Sequence, residues 1–147
     1  MSTPYIVPPC HAEPVILYRD EHLLLVEKPA GLLSVPGRHP LNRDSLITRL
    51  QAVFPQARTV HRLDLDTSGV MVVALHADSQ RALHRLFAQR QVKKHYQAIV
   101  QGRVESAQGR IDLPLGCGLA QPSTAASGPG SWQAGSDPLP APGSRCG

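Results

Sequence analysis

The feature that most constrains this chain is a junction. Val70-Met71-Val72-Val73-Ala74-Leu75 is its most apolar run. A short apolar run rich in β-branched residues and bounded by turn formers predicts a buried strand over 70–75. Directly before it stands His61-Arg62-Leu63-Asp64-Leu65-Asp66-Thr67-Ser68-Gly69, a segment dominated by charged and hydroxyl side chains. A polar segment opening onto a core strand is held by a rigid scaffold, and loops held this way carry much of the chemistry of proteins. Thr67-Ser68-Gly69 suits a tight turn, because glycine permits backbone angles that other residues resist. An Asp before such a turn is most simply a local backbone cap. A positioned, reactive carboxylate is the other reading.

Around this junction the pattern is of alternating strands and helices. Residues 1–14 are proline-rich, with Pro8-Pro9, and predict a flexible arm. Val15 to Tyr18 and His22 to Glu27 read as two strands joined by the polar turn Asp20-Glu21. Lys28-Pro29-Ala30-Gly31 ends the second, because proline cannot donate to a ladder. Leu32 to Arg43 is a loop holding Arg38 and Arg43, either solvated or in contact with phosphates. Asp44 or Ser45 caps a helix running to Phe54, with Leu46, Ile47, Leu50, Val53 and Phe54 on one face and Pro55 as its stop. Asp78 or Ser79 caps a second helix, whose buried stripe is Ala82, Leu83, Leu86 and Phe87 and whose outer face carries Arg81, His84, Arg85 and Arg90. Tyr96 to Gln101 reads as a strand ended by Gly102, and Gly109 to Leu113 as one more short strand.

Length and charge bound the function. At 147 residues the chain is one domain with a modest core. A net charge of +4 suits a polyanionic partner and equally an ordinary basic protein. Cys10, Cys117 and Cys146 are too widely spaced for a disulfide framework or a zinc site. No apolar run is long enough to span a membrane, and no charged-then-apolar leader opens the chain, so a cytoplasmic location is expected.

The order of letters at the junction is specific. His61-Arg62-Leu63-Asp64, two further residues, then Thr67-Ser68-Gly69 resembles the catalytic motif of the RluA family of RNA pseudouridine synthases. Residues 16–18 and 20–32 resemble that family's first strand pair and its Asn-Lys-Pro-x-Gly turn, with Glu27 standing at the Asn position. Lys93-Lys94-His95-Tyr96-Gln97-Ala98 resembles its second motif, and Leu33 to Arg38 is most similar to the dual-specificity branch, which modifies tRNA anticodon stem-loops and large-subunit ribosomal RNA. The likeness runs from about residue 14 to residue 117.

The resemblance implies an α+β catalytic domain with a mixed, largely antiparallel sheet, of which this chain holds the N-terminal half. It implies an isomerase that needs no metal and no cofactor, since no group leaves or arrives. Asp64 is the implied catalytic carboxylate. Tyr96 is the implied residue packing on the target base. Arg62 and His61 are implied RNA contacts, with Arg38, Arg43, Lys93 and Lys94 as further basic candidates. The partner implied is RNA, tRNA or large-subunit ribosomal RNA, bound by a monomer. Two other classes use the same residues differently: a non-catalytic RNA-binding protein, and a small α/β regulator that binds another protein.

From Gly116 the composition changes. Asp137 and Arg145 are the only charges that remain, and Gly, Pro, Ser and Ala dominate. Such a segment buries too little apolar area to offset its ordering entropy. It predicts a disordered, low-complexity tail over 118–147, and an inactive product. The family's third motif, Gly-Arg-x-His-Gln-Leu-Arg, is absent from this stretch. A reading-frame slip near Cys117-Gly118 explains it. Gly118 to Ser123 can be written GGA-CTG-GCC-CAA-CCG-TCC, which without its first base, and with a codon for Thr124 following, reads Asp-Trp-Pro-Asn-Arg-Pro, similar to what the family has there. Trp132 to Ser136, shifted the same way, permits Gly-Lys-Pro-Ala, the family's next string. Resequencing the gene is expected to show one surplus base at this point and an open shifted frame that contains the third motif. An early stop in that frame would end the explanation.

Overall fold

The computed structural model describes residues 5–105 and 107–110. The chain divides into two units, Met1–Lys93 and Lys94–Gly147. The first is an α+β unit built on a four-stranded antiparallel sheet with two helices. Its strands are β1 (Val15–Arg19), β2 (Leu23–Lys28), β3 (Arg58–Thr59) and β4 (Gly69–Ala74). Their order across the sheet is β1-β2-β4-β3, and every neighbouring pair is antiparallel. An isolated parallel bridge joins Leu33 to Ser45.

The expected hairpin and core strand are present to within a residue at each end. β2 and β4 form the centre, in a register that pairs Leu24 with Val73, Val26 with Met71 and Lys28 with Gly69. Side chains alternate across a strand. The core face of β2 therefore holds Leu24, Val26 and Lys28, all fully buried. Leu32, Leu46, Ile47, Leu50, Ala57, Met71 and Val73 complete the cluster.

Helix α1 (Leu46–Gln51) buries Leu46, Ile47 and Leu50 against this face. Ser45 is its N-cap, in a reciprocal capping box with Thr48. Two further N–H groups of its first turn reach back to the preceding loop, Leu46 to the Leu33 carbonyl at 2.7 Å and Ile47 to the Ser34 carbonyl at 3.3 Å. The helix is shorter than its periodicity predicts. It ends at Gln51, and Val53 is 70 % exposed rather than on the core face. Pro55 explains this: it has no N–H for the Gln51 carbonyl, and it disfavours helical angles at Phe54. Phe54 still packs on the core edge, under the Arg19 guanidinium.

Helix α2 (Ala77–Ala88) is capped by His76, not by Asp78 or Ser79. His76 has extended backbone angles, and its ring accepts from the Ser79 N–H. Asp78 instead lies in the first turn, where its charge suits the helix dipole, and pairs with Arg81. The expected apolar stripe is also less covered than its pattern implies. Ser79 is the buried residue of α2, while Ala82 and Leu86 are exposed and Leu83 and Phe87 half-buried. Periodicity reveals an amphipathic face, but a second surface is needed to cover it.

Residues 5–14 hold no helix or strand, yet they are tied down. Asn42 bonds Val7 and Tyr5 through its side chain, both at 2.9 Å. Arg49 donates to the Cys10 and Ala12 carbonyls and pairs with Asp44 at 2.7 Å and Glu13 at 3.6 Å. The Arg49 guanidinium holds the Asp44 carboxyl below its usual range.

In the second unit the described residues form no helix or strand. The strand expected over Tyr96 to Gln101 is therefore corrected. Tyr96 is 66 % exposed, and Ile99 and Val100 are exposed as well. A strand needs a neighbour to satisfy its backbone, and apolar alternation does not supply one. Gly109 and Arg110 are likewise not in a strand, while Ile111 to Leu113 and the segment 118–147 lie outside the described residues.

β1 stands at a sheet edge, with Val15, Ile16, Leu17 and Tyr18 all exposed. An apolar edge strand is a template for self-association. Leu17→Lys is expected to leave stability within about 0.5 kcal/mol while lowering self-association of the chain. Light scattering across a concentration series checks this, and equal association of both proteins would contradict it.

Candidate active site

The register of β2 and β4 brings two separate stretches of sequence together. Pairing Lys28 with Gly69 sets the end of one strand beside the start of the other. The loop leaving β2 and the polar segment entering β4 thus meet at one end of the central strand pair. Gly69 has φ +133 and Gly31 has φ +79, angles that favour glycine at both corners.

Residues 61–68 are held from the 28–34 loop by side chains and backbone. The Ser34 hydroxyl, buried, donates to the Leu63 carbonyl at 2.6 Å and accepts from the Leu63 N–H at 3.1 Å. One hydroxyl thereby satisfies both backbone groups of one residue, as its donor and acceptor capacity allows. The Leu65 carbonyl accepts from the Gly31 N–H at 2.9 Å and from the Lys28 ammonium at 3.2 Å. Asp64 lies between these two fixed residues. Its own carbonyl closes the turn by accepting from the Thr67 N–H at 3.2 Å. Leu63 packs on the core, and the Asp64 side chain points to solvent.

Lys28 is the least expected member of this arrangement. Its side chain is 0 % exposed, and the ammonium donates to the carbonyls of Leu32 at 2.7 Å, Pro29 at 3.0 Å and Leu65. Three carbonyls match its three donors. Burial pushes its pKa below the ordinary lysine value, and the fields of Cys10, Asp66 and Asp64 oppose that shift. The buried ammonium thus sits beneath the turn that carries both carboxylates and ties its backbone to the loop leaving β2. Neither Lys28 nor Ser34 stands out as a site residue in the sequence. The signal for Lys28 was available: it continues the alternation of Leu24 and Val26 onto the core face.

The remaining sequence-derived candidates are distributed more widely. Arg62 is exposed beside Asp64. His61, expected at an RNA surface, is half-buried and turned inward. Its Nε2 accepts from the Val72 N–H at 3.1 Å, and its ring stacks on Phe87 of α2 at 4.6 Å. Arg38, Arg43 and Lys93 are exposed in the first unit, while Lys94 and Tyr96 are exposed in the second. The first unit by itself thus brings together Asp64, Arg62 and Lys28, and Tyr96 belongs to the other unit. A cavity of about 150 Å³ between the N-terminal arm and the 31–44 loop includes Cys10, Asn42 and Asp44 in its wall and none of these candidates. Among the described residues no helix is long and apolar enough to cross a membrane.

A carboxylate clamped on a turn at the mouth of a central strand pair, in this motif, marks a known class. The sequence profile of the RNA pseudouridylate synthases matches residues 22–130, and the chain belongs to that family. Over 110 residues it is 54 % identical to the dual-specificity RNA pseudouridine synthase RluA of Salmonella typhi, a match covering 75 % of this chain and 50 % of that protein. The protein of the same name from Escherichia coli K12 is 53 % identical over the same length and shares. The chain thus spans about half the length of these curated relatives. Among solved structures, human RNA pseudouridylate synthase domain containing 4 is similar over 52 % of this chain and 30 % of its own, with 34 % identity and a TM-score of 0.41.

The clamp generates a stability prediction. Ser34→Ala strips both backbone groups of Leu63 of their partner, and an unsatisfied buried group costs about 1–3 kcal/mol. Destabilisation of about 2 kcal/mol is expected, with Ser34→Thr retaining more of the native stability than Ser34→Ala. Denaturant unfolding of the three proteins checks this, and an Ala variant as stable as the parent would refute it.

Proposed function

We propose that this chain provides the Asp64 half of an RNA pseudouridine synthase, acting on a uridine in a tRNA anticodon stem-loop, in large-subunit ribosomal RNA, or in both. The observation that carries this reading is the fixing of Leu63 and Leu65, on either side of Asp64 in the chain, by the 28–34 loop, which leaves the Asp64 side chain exposed on a held turn. The reaction breaks the bond from the ribose anomeric carbon to the ring nitrogen. It then bonds the same carbon to ring C5, releases the C5 proton and leaves the freed ring nitrogen carrying one proton in its place. Nothing is gained or lost by the nucleoside, so positioning and charge are what the protein must supply.

Asp64 is the reacting carboxylate. It serves as nucleophile at the anomeric carbon, as nucleophile at the pyrimidine ring, or as base toward the ribose; all three routes require it ionised and held in place. Lys28 beneath the turn helps to hold it in place through the Leu65 carbonyl. Tyr96 is assigned to the face of the target base, where a phenol is suited to stacking and to removal of the C5 proton. A uridine within folded RNA must leave its stack to be reached. Arg62 flanks Asp64, and its planar guanidinium is suited to brace the vacated space or grip a phosphate. Arg38, Arg43 and Lys93 of the first unit, and Lys94 of the second, are each suited to contact the RNA backbone. His61 acts internally, holding α2 against the entry to the turn. The protein works as a cytoplasmic monomer without metal or cofactor.

The test uses a chain of the length of the relatives and RNA tritiated at uridine C5, because isomerisation releases that hydrogen to water. Asp64→Asn is expected to reduce release to background while RNA affinity stays within a few-fold. Arg62→Ala is expected to weaken binding and to lower its salt dependence by about one phosphate contact. Continued tritium release by Asp64→Asn would overturn the assignment.

A further inference from the structure

Two histidines outside the candidate site meet at the N-terminus of α2. His22 begins the segment leading into β2, and His76 caps α2. The His22 Nδ1 lies 3.0 Å from the His76 Nε2, with the rings 5.2 Å apart and nearly perpendicular, at 82°. The His76 Nδ1 faces the Ser79 N–H at 3.4 Å, and the Ser79 hydroxyl lies 3.1–3.2 Å from both ring nitrogens.

Proton bookkeeping shows what this arrangement does. Capping requires a lone pair on the His76 Nδ1, so its proton sits on Nε2 and is donated to the His22 Nδ1. The neutral pair then has two lone pairs, and both are engaged. A proton added to the His22 Nδ1 sets donor against donor. A proton added to the His76 Nδ1 destroys the cap and places positive charge at the positive end of the helix dipole. Either addition breaks a bond that anchors α2.

We infer that His22 and His76 form a proton-sensitive clasp that fixes the start of α2 to the start of β2, and that acidification releases it. This inference stands apart from the catalytic reading above. Imidazoles take up protons between about pH 5 and 8. Both lone pairs of the neutral pair are already engaged, so acidification into that range costs the clasp one of its two bonds.

The surrounding charges give the released ring a destination. The Asp20 carboxylate accepts from the backbone N–H groups of His22 and Leu23 and interacts electrostatically with the His22 ring. A protonated His22 exchanges His76 for Asp20. Glu21 lies on the same turn, Asp78 pairs with Arg81 on α2, and Arg58 of β3 pairs across the sheet with Ala74 near the His76 end of β4. His61 stacks on Phe87 farther along α2, and His84 lies on the helix itself.

Release has a consequence beyond the helix. The Gln80 side chain donates to the Thr59 carbonyl at 2.8 Å, and Phe87 stacks on His61. α2 thus braces the residues that lead into the Asp64 turn, and the clasp couples that brace to pH.

The experiment is hydrogen exchange read by mass spectrometry on the full 147-residue chain, corrected for the intrinsic pH dependence of exchange. Protection of the peptide spanning 76–88 is expected to fall about tenfold from pH 7.5 to pH 5.5, the equivalent of losing one N-cap. His76→Thr and His76→Asn supply caps that do not titrate in this range, and at least one of them is expected to hold its protection across both pH values. His22→Gln keeps an acceptor for the His76 N–H but removes one proton site, and is expected to move the loss to lower pH. The inference is overturned if the parent shows no fall, if both capping variants fall as the parent does, or if His22→Gln leaves the profile unchanged. The capping variants retain His61 and His84, so a fall caused by those rings would persist in them.

Discussion

The structure turns on a lysine ammonium buried where its strand meets its loop. Lys28 sits on the core face because it continues the alternation of Leu24 and Val26. An unpaired charge there would be prohibitively costly. It is accommodated because Pro29 and Gly31 bend the chain sharply after β2, which brings the Pro29 and Leu32 carbonyls within reach of the ammonium, while the Leu65 carbonyl arrives from the polar turn across the β2–β4 pairing. The cost of burying the charge is thus offset only when the turn is in place. Folding of the core and placement of the Asp64 turn become one event.

The same logic recurs around the unit, where side chains serve as partners for irregular backbone. Ser34 satisfies Leu63, Asn42 holds Tyr5 and Val7, Arg49 holds Cys10 and Ala12, and Gln80 holds Thr59. Loops built this way keep their shape without a ladder of their own. That rigidity suits the role proposed for Asp64, since a small misplacement of a reacting group is expensive in rate. By contrast, apolar side chains on β1 and α2 remain exposed. These are faces whose amphipathic pattern calls for a covering surface, and the described residues cover them incompletely.

Much of the site was legible in the sequence because its ingredients are contiguous. The nine residues from His61 to Gly69 state the turn, its glycine corner, the carboxylate and the flanking arginine in one reading. The core strand behind it follows from β-branched composition alone, and the hairpin before it from alternation around a polar turn. Family membership rests on a match over residues 22–130 that includes those letters. Errors fell where the outcome depends on what lies opposite. Val53 obeys the helical period but lies beyond the last turn, Tyr96 to Gln101 has strand composition without a paired neighbour, and His76 outcompeted two better-known capping residues by its backbone angles.

What this sequence determined by itself was local: the first hairpin, the core strand and the presence of two helices, where the chain turns, and which carboxylate stands at the mouth of the core strand. Those outcomes follow from side-chain size, branching and the freedom of glycine, all of which act over a few neighbours. Tertiary structure alone decided the pairing of Lys28 with Gly69, the burial of that lysine under Leu65, the double bond from Ser34 to Leu63, the inward turn of His61 and the meeting of His22 with His76. Each joins residues far apart in the chain. Strand register and helix docking set such meetings, and these are chosen by the packing of the whole core rather than by any one stretch of it.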